Sequence, residues 1–254
     1  IDRRDFLRKS ALGAAGLALA PSLLAQAKTA GKLRTAHIGL GGMGMADLAA
    51  IASHPEVEVV ALCDVDGKAL EGAKALYPNA KTYADYRQML KELENEFDAV
   101  VVSTPDHTHA PASLMAMEMN KPVYCQKPLT HHVTEAREMK KMAEEKNLVT
   151  QMGIQVHSFY DYKLATLLIQ SGIIGKVHTV RAWSPKNWGF DGPEPTGSDP
   201  VPAHLDWNLW LGTAPKRDFK EDNYHPGNWR KVMDFGCGTL GDMGVHIFDT
   251  PYNA

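Results

Sequence analysis

Residues Gly39-Leu40-Gly41-Gly42-Met43-Gly44 form a G-x-G-x-x-G pattern between an apolar run, Thr35–Ile38, and a helical pattern over Met43–Ala52. At such a strand-to-helix turn the first glycine permits the tight bend, the second lets backbone N–H groups approach a pyrophosphate, and the third lets the helix pack closely. The helix N-terminus adds the positive end of its dipole. Alone, the hexapeptide would also fit a glycine-rich hairpin turn. In this context it predicts a dinucleotide site that includes Gly39, Gly41, Gly42, Met43 and Gly44.

An acidic residue at the end of the second strand supports this interpretation. Asp64 follows the apolar run Val57–Cys63 and lies twenty residues after Gly44. A carboxylate there can accept hydrogen bonds from the adenosine ribose hydroxyls, and it repels a 2′-phosphate. The sequence therefore predicts NAD, with NADP disfavoured. Asp66 is the alternative acid, although it also fits the start of a helix near Lys68.

Short β-rich runs continue to alternate with helical segments, which predicts an α/β fold whose parallel sheet carries helices on both faces. Further strands are expected at Ala99–Ser103, Val123–Cys125 and Val149–Met152. Further helices are expected at Lys68–Leu76, Tyr86–Glu94, Ala110–Asn120 and Thr134–Lys146. We expect a Rossmann domain over residues 31–153.

The first 27 residues have the pattern of an export signal. Arg3-Arg4-Asp5-Phe6-Leu7-Arg8 resembles the twin-arginine motif, the apolar run Ala11–Ala25 follows, and Ala25-Gln26-Ala27 fits signal peptidase cleavage. The run is too short to span a bilayer comfortably, because about 20 apolar residues are needed. The pattern predicts a periplasmic protein without a stable membrane span. The chain begins with Ile1 instead of Met and ends inside an apolar stretch, so we expect it to be a fragment at both ends.

Composition excludes some function classes. The chain has 254 residues, 44% of them hydrophobic, and a net charge of -3, so it lacks the basic excess expected of a nucleic-acid-binding protein. Its three cysteines are far apart and have no metal-ligand spacing, so neither a disulfide framework nor a metal site is predicted.

Three stretches resemble the Gfo/Idh/MocA oxidoreductases, the relatives of glucose–fructose oxidoreductase and inositol dehydrogenase. They are Ser103-Thr104-Pro105-Asp106-His107-Thr108-His109, Cys125-Gln126-Lys127-Pro128-Leu129 and Gly241-Asp242-Met243-Gly244-Val245-His246-Ile247-Phe248-Asp249. In the second stretch Gln126 stands where that family has glutamate. The resemblance implies that Thr104, Pro105, His107, His109 and Lys127 contact the cofactor. A polar turn and helix cap is the alternative for the first stretch.

The resemblance also implies a second, substrate-binding domain that begins in residues 154–254 and is incomplete here. It would be an α+β domain with an open antiparallel sheet, whose first strand corresponds to Val180–Trp183. Ser184–Phe235 would be an insertion near the active site, and its tryptophans would either stack on sugar rings or anchor the packing. A homo-oligomer could form through the remaining strands of that sheet.

Removing a hydride from a secondary alcohol requires a base near the hydroxyl, and we assign this role to His246. Asp242 lies four residues earlier, on the same face of a helix, and could orient the ring or a sugar hydroxyl. Lys127 could stabilise negative charge on the reacting oxygen. Each residue also fits a structural role: a buried histidine, a helix cap and a solvated loop lysine, respectively.

The resulting prediction is an NAD-dependent oxidoreductase acting on a sugar or polyol. An NAD-using glycosidase, which oxidises its sugar or glycoside substrate transiently, would use the same three residues. A non-catalytic sugar-binding homologue is the third possibility.

Overall fold

The computed structural model describes residues 31–189, 192–193 and 196–254. Its centre is a parallel sheet of six strands in the order β3-β2-β1-β4-β5-β6. The strands are β1 Leu33–Ile38, β2 Val57–Cys63, β3 Lys81–Tyr83, β4 Ala99–Val102, β5 Val123–Gln126 and β6 Thr150–Gly153. This is the strand order of a Rossmann fold, in which the chain reverses direction across the sheet between β1 and β4.

Helices connect successive strands and continue beyond the sheet. They are α1 Met43–Ala52, α2 Gly67–Leu76, α3 Tyr86–Glu92, α4 Asp106–Glu118, α5 Val133–Glu145, α6 Gln155–Ser158, α7 Tyr160–Gln170, α8 Trp207–Leu211, α9 Gly238–Ile247 and α10 Asp249–Asn253, with a 3₁₀ turn at Asn228–Lys231. The predicted parallel sheet with helices on both faces is confirmed.

Two apolar cores fix the sheet between its helices. On one face α3, α4 and α5 pack against alternate residues of β1, β2 and β4, around the fully buried Phe97 and Met117. On the other face α1 and α2 pack through Leu48 and Ala73 against Leu62. Because successive side chains of a strand point to opposite faces, a strand buried on both sides is apolar throughout, as Ala99–Val102 is. The carboxyl ends of β1 and β4 therefore meet at a rigid edge.

A third cluster lies in the C-terminal part of the chain and packs beside that edge. It is aromatic, and its buried members are Leu205, Trp207, Trp210, Leu211, Phe219, Tyr224, Trp229 and Phe235. Backbone bonds join it to the sheet domain, since Asp206 N–H donates to Val65 O at 2.9 Å and Gly67 N–H donates to His204 O at 2.7 Å. The predicted insertion is thus folded onto the cofactor domain.

Three local features of the structure differ from the expectations or were not predicted. Val180–Trp183 forms no strand, because within the described residues no neighbouring strand is present to pair with it. Lys81–Tyr83 forms β3 although three residues are too few to show a periodic pattern. Helix α4 begins at Asp106 instead of Ala110, which leaves Pro111 inside the helix.

The predicted signal over residues 1–27 lies outside the described residues. In the described part of the chain, no helix combines the length and apolar character needed to cross a bilayer.

Candidate active site

The glycine turn lines a cavity of about 490 Å³. Gly39 and Gly42 have φ angles of +87° and +48°, which other residues rarely adopt. A Cβ on Gly44 would lie 2.1 Å from Gly39 O, so helix and strand approach as closely as the motif requires. Gly41 lines the cavity, and a Cβ added there would meet nothing within 4 Å. Open space above backbone N–H groups suits a diphosphate.

Asp64 lies on the cavity wall next to the turn. Its Oδ2 accepts a hydrogen bond from Leu40 N–H at 2.6 Å, and its Oδ1 accepts one from Asp66 N–H at 2.8 Å. Burial raises the pKa of Asp64, and these two bonds oppose that effect. The carboxylate predicted to hold the ribose therefore also fixes the glycine turn, while each oxygen retains a second lone pair.

Asp66 has a structural role instead. It accepts a hydrogen bond from Lys68 N–H as the N-cap of α2, and it contacts His204 Nδ1 at 2.9 Å and His225 Nε2 at 2.8 Å. Burial alone would raise its pKa, but the contacts with His225 and Lys68 lower it. Asp66 thus caps the helix and joins the sheet domain to the C-terminal part.

The segment after β4 lines the cavity only in part. Thr104 and Pro105 are on the wall, as predicted. His107 and His109 are not on the wall: both are buried in the protein, 3% and 1% exposed, although we predicted cofactor contacts for them. His107 Nε2 lies 3.1 Å from Trp210 O, so this ring holds the aromatic cluster.

His109 connects the two loops that form the floor of the cavity. Its Nδ1 lies 2.7 Å from Pro128 O and its Nε2 lies 2.8 Å from Thr104 O. Carbonyl oxygens only accept, so both ring nitrogens donate and the ring is an imidazolium. Burial opposes the charge, but the neighbouring Cys125 and Asp106 and the Pro128 carbonyl together raise the pKa of His109 to about 9.

Lys127 and Asp242, which also line the cavity, form an ion pair. Lys127 Nζ lies 2.6 Å from Asp242 Oδ1 and 3.1 Å from Asp242 O, and the two side chains are 13% and 11% exposed. Burial would raise the pKa of Asp242, but the lysine ammonium outweighs it and lowers the pKa below its usual value. Both residues line the cavity, so a cation and a carboxylate face any ligand there.

His246 lies one turn beyond Asp242 on α9 and is not on the cavity wall. Burial, and next the charge of Lys127, lower the pKa of His246. At neutral pH the ring is therefore uncharged and can accept a proton. Its Nδ1 is buried and has no hydrogen-bond partner among the residues the structure describes. The helix thus brings His246 close to the ion pair, as its spacing from Asp242 predicts.

Several residues of the site were not predicted. Arg230 lines the cavity and approaches Asp242 Oδ1 at 3.6 Å, while its guanidinium packs 4.2 Å from the Trp229 ring centre. His225 lines the cavity near Asp64. Both lie in the insertion, where only the tryptophans suggested a function. Trp207 and Trp210 stack on each other in the aromatic cluster. Of the two predicted roles for the tryptophans, this contact corresponds to anchoring the packing.

One cavity wall therefore combines a glycine turn, an adjacent carboxylate and a buried lysine–aspartate pair. In the described residues no three histidine, cysteine, aspartate or glutamate side chains are grouped as metal ligands. The glycine cradle and Asp64 fit the diphosphate and ribose of NAD, and the lysine–aspartate pair suits the reacting end.

Family sequence models agree with this geometry. Residues 33–154 match the NAD-binding Rossmann fold of the Gfo/Idh/MocA oxidoreductase family, and residues 161–252 match its C-terminal alpha/beta domain. The chain belongs to this family. It therefore contains the NAD-binding domain of an oxidoreductase family.

Three similar proteins illustrate the family. A glycosyl hydrolase family 109 protein of Stenotrophomonas maltophilia is 38% identical over 133 residues, which covers 49% of this chain and 29% of that protein. The crystal structure of myo-inositol 2-dehydrogenase from Lactobacillus plantarum has a TM-score of 0.54 at 30% identity, covering 57% of this chain and 43% of that one. A Bordetella pertussis dehydrogenase in complex with NADH and UDP-GlcNAcA has a TM-score of 0.51 at 25% identity, covering 56% and 43%.

The chain spans less than half the length of the curated relatives that it matches. The activity, substrate and partners of the whole protein are therefore treated as proposals.

Proposed function

We propose that this protein transfers a hydride between NAD and a secondary hydroxyl of a sugar or polyol. The observation that carries the proposal is the cavity itself, whose wall includes both the glycine turn and the Lys127–Asp242 ion pair. Ligands of Rossmann sheets lie across the carboxyl ends of the strands, so a dinucleotide bound by the turn would extend toward Lys127.

The residues of the site have separate roles in the proposed reaction. Bound NAD would supply the hydride acceptor. As the C–H bond of the alcohol breaks, its O–H proton must leave, and we assign its acceptance to the neutral His246, one helical turn beyond Asp242. The Lys127 ammonium can donate a hydrogen bond to the same oxygen and so stabilise its developing negative charge. Asp242 holds the lysine and can accept from a neighbouring hydroxyl.

The substrate class rests on the relatives. One is a myo-inositol dehydrogenase and another was crystallised with a nucleotide sugar, and both ligands carry several secondary hydroxyls. A cavity lined by polar groups together with Trp210 and Trp229 suits such a ligand. Oligomerisation through a sheet in the C-terminal domain is part of the same proposal.

A second candidate is an NAD-using glycosidase, favoured by the 38% identity to a glycosyl hydrolase family 109 protein. In that reaction a hydroxyl of the sugar is oxidised, the substituent is eliminated, and the ketone is reduced again, so no net redox change occurs. The same lysine, aspartate and histidine would serve it.

Periplasmic location is also proposed, on the Arg3-Arg4 motif and the small-x-small site ending at Ala27. An exported protein should be found in the periplasmic fraction with its N-terminus at Lys28. Replacing Arg3 and Arg4 with lysines should retain the precursor in the cytoplasm.

The decisive experiment incubates the purified full-length protein with NAD⁺ and a panel of sugars, polyols and aryl glycosides. Net NADH formation with one polyol or sugar is expected. Aglycone release without net NADH would support the glycosidase instead. If neither NADH nor aglycone forms but sugar binding is retained, both enzymatic functions would be overturned and the sugar-binding homologue would be supported.

A further inference from the structure

Asp47 is a buried carboxylate under the glycine turn. It lies on α1 with 6% of its surface exposed. Its Oδ2 accepts a hydrogen bond from Ser103 Oγ at 2.7 Å, and Gln126 Nε2 donates to both of its oxygens, at 3.0 and 3.1 Å. Among the described residues no lysine, arginine or histidine pairs with it. Two neutral side chains therefore satisfy this acid.

The Gln126 side chain uses both ends of its carboxamide. While Nε2 donates to Asp47, Oε1 accepts a hydrogen bond from the backbone N–H of Lys127 at 3.0 Å. An amide donates at one end and accepts at the other at every pH, whereas a carboxyl group can do so only while it is protonated. An ionised glutamate at the same position would place an oxygen about 3 Å from the Asp47 carboxylate, and two carboxylates at that distance do not both ionise.

The surroundings keep the amide in this orientation. A Cβ on Gly153 would lie 3.0 Å from Gln126 Nε2, so β6 closes the space beside the side chain. The titratable groups nearby are Tyr124 and Lys127. Burial, and next the charge of Asp47, raise the pKa of Tyr124 to about 12, so the phenol stays neutral. Lys127 directs its amine away, to Asp242.

We propose that Asp47 and Gln126 are positioning residues: Asp47 orients the Gln126 carboxamide, which holds the Lys127 backbone so that its amine meets Asp242. The pair connects α1, the end of β4 through Ser103, and the end of β5. Position 126 must then carry an amide as long as position 47 carries an acid. This accounts for glutamine where the family has glutamate. The consequence for hydride transfer rests on the proposed function, whereas the pairing itself does not.

The first test compares Gln126→Glu with the parent protein by thermal unfolding between pH 4.5 and 8.5. The two acids must share a proton in the folded state, so the pKa of the pair is raised above its unfolded value. Stability is then retained at low pH and lost as pH rises. We expect similar unfolding midpoints at pH 4.5 and a deficit of about 5 °C or more at pH 8.5.

The second test adds Asp47→Asn to this variant. The introduced asparagine would donate to the introduced glutamate, whose other oxygen would still accept from Lys127 N–H, so the unfolding midpoint should recover across the whole pH range. Asp47→Asn alone should stay near the parent, because the new amide can accept from Gln126 and donate to Ser103. If Gln126→Glu does not fold at neutral pH, folding of the double variant gives the same answer.

The third test asks whether the pair positions the cofactor site. NADH affinity, followed by fluorescence, should fall about tenfold in Gln126→Glu as pH rises, in parallel with the loss of stability, and should recover in the double variant. Gln88→Glu is the matched control: Gln88 also donates to a carboxylate, Glu92 at 2.8 Å, but on the exposed surface, where solvent screens the repulsion.

A stability deficit that is equal at all pH values, or one that Asp47→Asn does not relieve, would overturn the proposed pairing. Recovery of stability without recovery of NADH affinity would overturn the positioning role. Neither readout needs a substrate, so absence of turnover would count against the proposed function alone.

Discussion

Lys127 is held at both ends. Its backbone N–H donates to Gln126 Oε1, and its amine donates to Asp242 Oδ1 at 2.6 Å. Only 13% of its side chain is exposed, so the amine has little freedom to turn elsewhere. A buried ion pair is weak support for stability, because desolvation offsets much of the Coulomb gain. The geometry is better explained by a requirement for a cation at this point in the cavity.

Replacing Lys127 with methionine keeps the length of the side chain but removes the ammonium. Turnover with any substrate found should fall by about 10²–10⁴-fold, because the reacting oxygen loses its charge stabilisation. NADH affinity should stay within a few-fold of the parent value. Lys140→Met, at a position where 75% of the side chain is exposed, is the matched control and should leave both values unchanged. Equal turnover in the two variants would remove Lys127 from the chemistry.

Residue types and spacing were enough to place Lys127, Asp242 and Asp64 at the cavity, but not His107 or His109. The reason is the start of α4. Because the helix begins at Asp106, residues 106 and 108 face the cavity and the two histidines face the protein interior. Successive side chains of a helix are rotated by about 100°, so the residue at which the helix begins decides which side chains meet the ligand. Sequence alone rarely fixes a helix start so closely.

Substitutions in the glycine turn can distinguish residues needed for NADH binding from residues needed for folding. Gly41→Ala should fold normally, because its Cβ meets nothing within 4 Å, yet should weaken NADH binding at least about tenfold by occupying the space of the diphosphate. Gly44→Ala should instead lower the unfolding midpoint, because its Cβ would lie 2.1 Å from Gly39 O. Fluorescence titration and thermal unfolding of both variants check this.

Gly72→Ala on α2 is the control for the alanine substitution itself. A Cβ there also meets nothing within 4 Å, and Gly72 is not among the residues that line the cavity, so NADH affinity should not change. Undiminished NADH affinity in Gly41→Ala would place the diphosphate elsewhere.

Elements with a strong periodic pattern were predictable and elements defined by their partners were not. Val57–Cys63 is an apolar run in the sequence and forms β2 with the same bounds. β3 has only three residues, and its strand character comes from pairing with β2. Val180–Trp183 shows the converse, because a β-rich segment without a neighbouring strand forms no ladder.

At the scale of the whole molecule, the C-terminal part completes the site by holding onto the sheet domain. Asp66 contacts His204 and His225, and the backbone N–H of Cys237 donates to Asp106 Oδ2 at 3.1 Å. These contacts hold the wall that carries His225, Trp229 and Arg230 against the glycine turn. Isolated domains would each lack one side of the cavity, which explains why no single motif defines it.

Because of three buried histidines, the stability of the folded protein should fall at both low and high pH. Burial lowers the pKa of His37 and of His107 from 6.5 to about 4, so both are neutral in the folded protein. Their contribution to the free energy of unfolding is present above pH 6.5 and is lost as pH falls toward 4. His109 has the opposite sign: its pKa is raised to about 9, so its contribution is present below pH 6.5 and is lost as pH rises through 9.

The unfolding midpoint, measured from pH 4 to 9.5, should therefore be highest near pH 6 to 7 and fall on both sides. His109→Gln removes the imidazolium that joins Thr104 O to Pro128 O, so it should lower the midpoint at neutral pH and flatten the alkaline side of the profile. His178→Gln, at an exposed position, should leave the profile unchanged. An alkaline side that is equally steep in His109→Gln would mean that this ring is neutral in the folded protein, and that one of its two carbonyl contacts is not a hydrogen bond.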